Sequence, residues 1–157
     1  MILRPLEARD ADELRRIRRT PEVERWWFAL EDDFPLEDED DATRLTIEVD
    51  DAVAGLIQFS EELDPLYRHA SIDLFVDPAL HNRGIGTRAI RQVVEMLVAE
   101  RGHHRITIDP AADNVAAIRA YEKAGFKPVG VMRRYERDAE GKGWHEGLLM
   151  EFVVEQQ

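Results

Sequence analysis

The chain has no cysteine among its 157 residues, which excludes a disulfide framework, a thiolate metal site and a cysteine nucleophile, and is compatible with a reducing compartment. Positive charge is also scarce. Lysine and arginine number 21 against 33 aspartates and glutamates, a formal net charge of −12 and a pI near 4.8. Nucleic acid is therefore disfavoured as a main partner, because phosphate binding draws on clustered positive charge, and a cationic partner fits better. No apolar run approaches the roughly 18 residues of a membrane span, and the opening MILRPLEARD lacks a signal peptide's apolar region. The expectation is a cytoplasmic protein with no membrane partner. A hydrophobic content of 44% with mean hydropathy −0.43 argues against long disorder, and the length favours one domain, 1–157, around one core.

The acid is concentrated. Residues 31–41, EDDFPLEDEDD, hold eight acids and no base, about two thirds of the net charge. Such a run is either a solvated loop or a wall that attracts a polyamine or aminosugar by its field.

Patterning gives the order of elements. Residues 2–4 read as a strand, and Asp10-Ala-Asp-Glu13 as a capping box opening a helix to Arg19, with Leu14 and Ile17 inward and Arg15, Arg16, Arg18 and Arg19 on a solvated face. Thr20-Pro21 starts a second short helix carrying Val23, Trp26 and Trp27. Strands over 44–49 and 52–59 form a hairpin about Asp50-Asp51, and SIDLFV ends a strand over 69–76 that Asp77-Pro78 stops. Ile85, Ala89, Ile90, Val93, Val94 and Leu97 then recur at helical spacing as far as Gly102. A strand over 105–109, a helix over 114–124 closed by Gly125, a strand over 127–134, a polar turn over 138–143 and a strand over 148–153 complete a mixed α/β sheet of about seven strands with about four helices.

Two segments carry chemistry. In His81-Asn82-Arg83-Gly84-Ile85-Gly86, followed by Thr87, glycines let the backbone approach a ligand, and helix-start N–H groups point at an anion: a pyrophosphate seat. It is neither a P-loop nor a dinucleotide-fold fingerprint. In the second, Asp109 ends a strand, Asn114 opens a helix, and Tyr121 falls seven residues on, on the same helix face. Asp73 is a carboxylate in an otherwise apolar strand, so it needs a partner or a cleft. The histidines at 81, 103, 104 and 145 show no metal-ligand spacing, and no metal is expected.

Together, HNRGIG and NVAAIRAYEKAGF resemble the GNAT superfamily of acyl-CoA-dependent N-acyltransferases, with His81 where that family has Gln or Arg. Val23-Glu-Arg-Trp-Trp27, Ser71-Ile-Asp73, Thr107-Ile-Asp-Pro110 and Ile118 to Phe126 resemble more narrowly its aminoglycoside 6'-N-acetyltransferase branch. The resemblance implies acetyl-CoA as co-substrate, seated by residues 81–87, by the backbone of Leu74, Phe75 and Val76 between splayed strands, and by Asn114, which can also cap its helix. It implies Asp73 as the acid–base carboxylate and Tyr121 as the proton donor to the leaving thiolate. Trp26, Trp27, Asp73, Asp109 and Glu140 are the expected acceptor contacts, with one tryptophan buried and one lining the site. The expected reaction is direct acetyl transfer to a primary amine of a small cationic aminosugar, by a monomer or homodimer. The alternatives are a protein, peptide or polyamine acceptor, and a non-catalytic CoA-binding module.

Overall fold

The computed structural model describes residues 1–27, 33–37 and 41–156. In chain order it contains β1 (Ile2–Pro5), α1 (Ala11–Arg18), α2 (Pro21–Glu24), β2 (Ala42–Val49), β3 (Ala52–Glu62), β4 (His69–Val76), α3 (Ile85–Ala99), β5 (Arg105–Ile108), α4 (Val115–Lys123), β6 (Lys127–Arg137) and β7 (Trp144–Val153). The strands form one sheet in the order β1-β2-β3-β4-β5-β7-β6. Among the described strands the β4–β5 pair is parallel and the other pairs are antiparallel. The mixed α/β architecture expected from the sequence is the one observed.

Both faces of the central strands are covered, which is why SIDLFV is apolar nearly throughout rather than alternating. Successive side chains of a strand point to opposite faces. Leu74 and Ile57 join the cluster built on the apolar stripe of α3, with Ile90, Val93 and Leu97. Phe75 and Leu56 join a second cluster with Leu14, Ile17, Val23 and Phe34. Asp73 shares the face of Phe75 and therefore looks toward the α1–α2 side.

Several local expectations need correction. Asp10 does not cap α1 through its side chain. Its buried carboxylate instead takes two hydrogen bonds from Arg4, at 2.7 and 2.8 Å, one from Thr46 Oγ1 at 2.9 Å and one from the Glu7 N–H at 2.9 Å, because a short acid beside β1 and β2 can satisfy buried donors that a helix start does not supply. The arginines of α1 are not simply solvated. Arg18 is buried with its guanidinium 4.4 Å from the Phe34 ring centroid and 5.2 Å from that of Trp27. Arg15 donates to the Phe34 carbonyl and Arg16 to Asp77. In the acidic run, Phe34 is buried and Glu37 pairs with Arg44 at 2.8 Å; residues 31, 32 and 38–40 lie outside the described residues. Strand β7 starts at Trp144 rather than 148. The turn at Asp138 and Gly143 is closed by backbone hydrogen bonding, and the pairing of Arg137 with Trp144 continues without hydrophobic alternation.

The Asp10 cluster gives a stability prediction. Arg4 lowers the Asp10 pKa well below the usual carboxylate range. Asp10 thus contributes stability that is present above the unfolded value of about 3.9 and is lost as pH falls below it. Asp10→Asn is expected to cost about 2 kcal/mol at pH 7, because the two charge-assisted hydrogen bonds from Arg4 and that from buried Thr46 lose their carboxylate, while Arg4 keeps only its pairing with Glu48 at 2.6 Å. Urea unfolding should show that deficit shrinking below pH 4.

Candidate active site

Parallel pairing of β4 with β5 ends after two rungs, Ala70 with Ile106 and Ser71 with Thr107. The second rung is tied by the two hydroxyls at 2.8 Å. Beyond it the strands separate, so the stretch of β4 from Asp73 to Val76 stays paired with β3 on one side only. The gap opens into a cleft of about 980 Å³. Leu74, Phe75, Val76, His81, Asn82, Gly84, Ile85, Gly86, Thr87 and Asn114 line it, together with Asp73, Asp109, Tyr121, Trp26 and Trp27.

At one end lies the glycine turn. Gly84 adopts φ 74° at the N-cap of α3, and Asn82 has φ 65°. A β-carbon on Gly86 would meet Leu74 and Val76 side chains only at 3.8 Å, so the helix start lies directly against the splayed strand. The first-turn N–H groups of α3 have no intrahelical acceptor and carry the positive end of the dipole. This fits an anionic chain entering along β4. His81 donates from Nε2 to the Val76 carbonyl at 2.9 Å, which ties the loop to the strand end. Arg83 faces a separate hollow of about 350 Å³, shared with Arg88, Arg91 and Lys123, a basic rim on an acidic protein.

The deeper end is acidic. Asp73 is open to the cleft, yet the surrounding walls desolvate it, and that effect followed by the charge of Asp109 pushes its pKa up to about 7. Its Oδ1 accepts the Leu74 N–H at 3.0 Å. Glu136, also on the cleft wall, is shifted upward by desolvation and lies 3.2 Å from His145 Nε2. The Tyr121 phenol is pushed up, first by burial and then by the charges of Asp73 and Asp109, which places all three groups within electrostatic reach of one another.

Most residues expected at the site line this one cleft. Asn114 caps α4 by accepting the Ala117 N–H at 3.3 Å and lines the cleft too. Neither tryptophan is fully buried; both line the cleft, Trp27 packing edge-on against Phe75 at 5.1 Å and Trp26 beneath Arg25 at 4.5 Å. Glu140 is not among the lining residues. It sits on an exposed turn beside Lys142, 3.4 Å away, whereas Glu136, four residues earlier, lines the cleft. Sequence reading missed Glu136 because its position depends on a bulge in β6. It missed Arg18 because an arginine at helical spacing reads as surface. Among the described residues, no group of three or more histidines, aspartates or glutamates is placed to hold a metal ion.

The strand pair splays over a glycine turn, with an acid and a phenol lining the gap. The sequence model of the Acetyltransferase (GNAT) family matches residues 7–126, and the chain belongs to that family. An aminoglycoside N(6')-acetyltransferase type 1 of Klebsiella pneumoniae is 39% identical over 75 residues, 47% of this chain and 36% of that protein, so the match spans about a third of that relative. The solved structure of AAC(6')-Ib with paromomycin and acetyl-CoA superposes with TM-score 0.76 at 22% identity, covering 96% of this chain and 92% of the other. The Vibrio cholerae spermidine N-acetyltransferase with CoA and spermine superposes with TM-score 0.78 at 17% identity, covering 97% and 94%.

Proposed function

We propose that this acetyltransferase, its whole chain one domain, moves the acetyl group of acetyl-CoA directly to a primary amine of a small polycationic acceptor, an aminosugar of the aminoglycoside type at its 6'-amine. The observation that carries this reading is the gathering of Asp73, Asp109 and Glu136 on one cleft whose other end is the glycine turn. Acetyl-CoA supplies an activated acyl group, and the backbone from Leu74 to Val76 borders its pantetheine arm as an added strand would.

An aliphatic amine with a pKa near the lysine reference of about 10.4 arrives protonated. Asp73 binds that ammonium and takes its proton; the neutral nitrogen attacks the thioester carbonyl, and the C–S bond breaks as the new C–N bond forms. The Leu74 N–H, now bonded to Asp73 Oδ1, is a donor on the splayed strand for the developing oxyanion. Asp109 and Glu136 hold further ammonium groups of the acceptor, while Trp26 and Trp27 offer ring faces to a sugar. Tyr121 attends the departing sulfur.

Release of free thiol from acetyl-CoA tests this with kanamycin, spermidine and an amine-terminated peptide side by side. Turnover should be fastest with the aminoglycoside and absent with an analogue carrying a 6'-hydroxyl. Turnover of only spermidine or the peptide would overturn the acceptor assignment and keep the acetyl-transfer cleft.

A further inference from the structure

Strand β6 departs from regular pairing twice, between Pro128 and Gly130 and, more sharply, between Met132 and Glu136. Met132 opposes Gly147 and Glu136 opposes His145, so three residues of β6, Arg133, Arg134 and Tyr135, face the single Glu146 of β7. Arg134 takes the left-handed conformation, φ 48°, which for a non-glycine residue costs about 1–3 kcal/mol and is sustained by its surroundings. The bulge has two products. Glu136 reaches the cleft wall, and the Tyr135 hydroxyl donates to Asp109 Oδ2 at 2.5 Å.

That hydrogen bond spans an intervening strand, since β7 lies between β5 and β6. The tyrosine ring crosses β7 at Gly147. A β-carbon there would stand 2.8 Å from Tyr135 Cδ2 and 3.3 Å from Met132 Cε, too close for any side chain to coexist with the ring where it is. The same stretch of β7 holds the segment after Asp109, through the Ala111–Gly147 bridge, the Ala112 N–H to the Glu146 carbonyl and the Leu148 N–H to the Pro110 carbonyl. Asp109 needs such support, because it lies past the last β5 rung on the splayed side and no β4 pairing fixes it.

We propose that Tyr135 is the positioning residue of the acceptor site, holding one oxygen of Asp109 so that the other faces the acceptor's ammonium, and that Gly147 is glycine to let the ring cross. This rests on the acceptor reading above. The charge of Asp109 also acts on Asp73 and Tyr121, so fixing this carboxylate fixes part of the field at the reacting amine. Donation to Asp109, followed by burial, raises the Tyr135 phenol to about 12.

Tyr135→Phe removes one oxygen from a half-exposed side chain and should leave the melting temperature and the KM for acetyl-CoA unchanged. The KM for a polycationic acceptor should rise about fivefold, as expected for one partly exposed hydrogen bond to a charge, with kcat within about twofold. Gly147→Ala should reproduce that KM, and the double variant should add nothing further. An unchanged acceptor KM in Tyr135→Phe, or a loss that falls equally on acetyl-CoA binding and thermal stability, would overturn the proposal. The 13Cζ chemical shift of Tyr135 tests the contact without turnover: it should move in both Asp109→Asn and Gly147→Ala. If it moves in neither, the proposal fails whichever acceptor is used; if it moves while no polycation is acetylated, the acceptor reading fails instead and Tyr135 remains the residue that positions Asp109.

Discussion

Asp73→Asn is expected to lower kcat/KM for the acceptor amine by about a thousandfold, within the range for loss of a positioned acid–base group, and to leave acetyl-CoA affinity within about twofold. The amide keeps the shape and can still accept the Leu74 N–H through its oxygen, so the loss isolates the proton-accepting function. In the wild-type enzyme kcat/KM should rise with pH through about 7 as Asp73 ionises, and this limb should vanish in the variant. The same substitution has an opposite effect on stability. The folded pKa of Asp73 lies above its unfolded value of about 3.9, so the folded state binds more protons between the two, and stability falls as pH rises through that window. Asp73→Asn should therefore melt higher than wild type at pH 8, with the gap closing near pH 4. A variant that loses activity while gaining stability marks a residue held in an unfavourable state for function; thiol release and thermal melts on one preparation read both. Equal activity of the two proteins would remove Asp73 from the chemistry.

What the sequence made legible follows from how local each determinant is. The apolar stripe of α3 and the Asn114 cap are encoded within a turn or two, and both appear where spacing put them. Asp73 was legible as the one charge in an apolar strand, since its neighbours are buried on two opposite faces. Glu140, expected at the acceptor from the family resemblance, sits outside the cleft, and a β6 bulge with no local sequence signal brings Glu136 to the cleft wall. Likewise Asp10 had the right spacing for a cap and was drawn instead into a long-range cluster with Arg4 and Thr46, where the paired hydrogen bonds of an arginine outweigh one helix-end hydrogen bond. Arg18 follows the same logic, its aliphatic stem and flat guanidinium covering Phe34 and Trp27. Pairwise contacts of high sequence separation leave no periodic trace, and each missed residue depends on one.

Tyr121→Phe is expected to lower kcat about a hundredfold, with acetyl-CoA affinity unchanged, and its pH behaviour separates two roles for the phenol. Burial and the two neighbouring carboxylates push the Tyr121 pKa upward from about 10. A thiol with a reference near 8.5 is then the stronger acid, so complete proton transfer from Tyr121 to the departing thiolate runs uphill. In the proposed reaction the phenol supplies a hydrogen bond that strengthens as negative charge collects on sulfur, in surroundings that desolvate Tyr121, where such a donor counts for more than in solution. In that proposal the amine's proton rests on Asp73 and the thiolate leaves hydrogen-bonded to Tyr121. On this account Tyr121 stays neutral throughout the working range. The deficit of Tyr121→Phe should then be the same from pH 6.5 to 9.5, and no alkaline limb of the wild-type profile should belong to this residue. Rates of thiol release at saturating substrates across that range decide it: a deficit that narrows steadily as pH rises would mean that Tyr121 acts by giving up its proton, and an undiminished kcat would place it in packing alone.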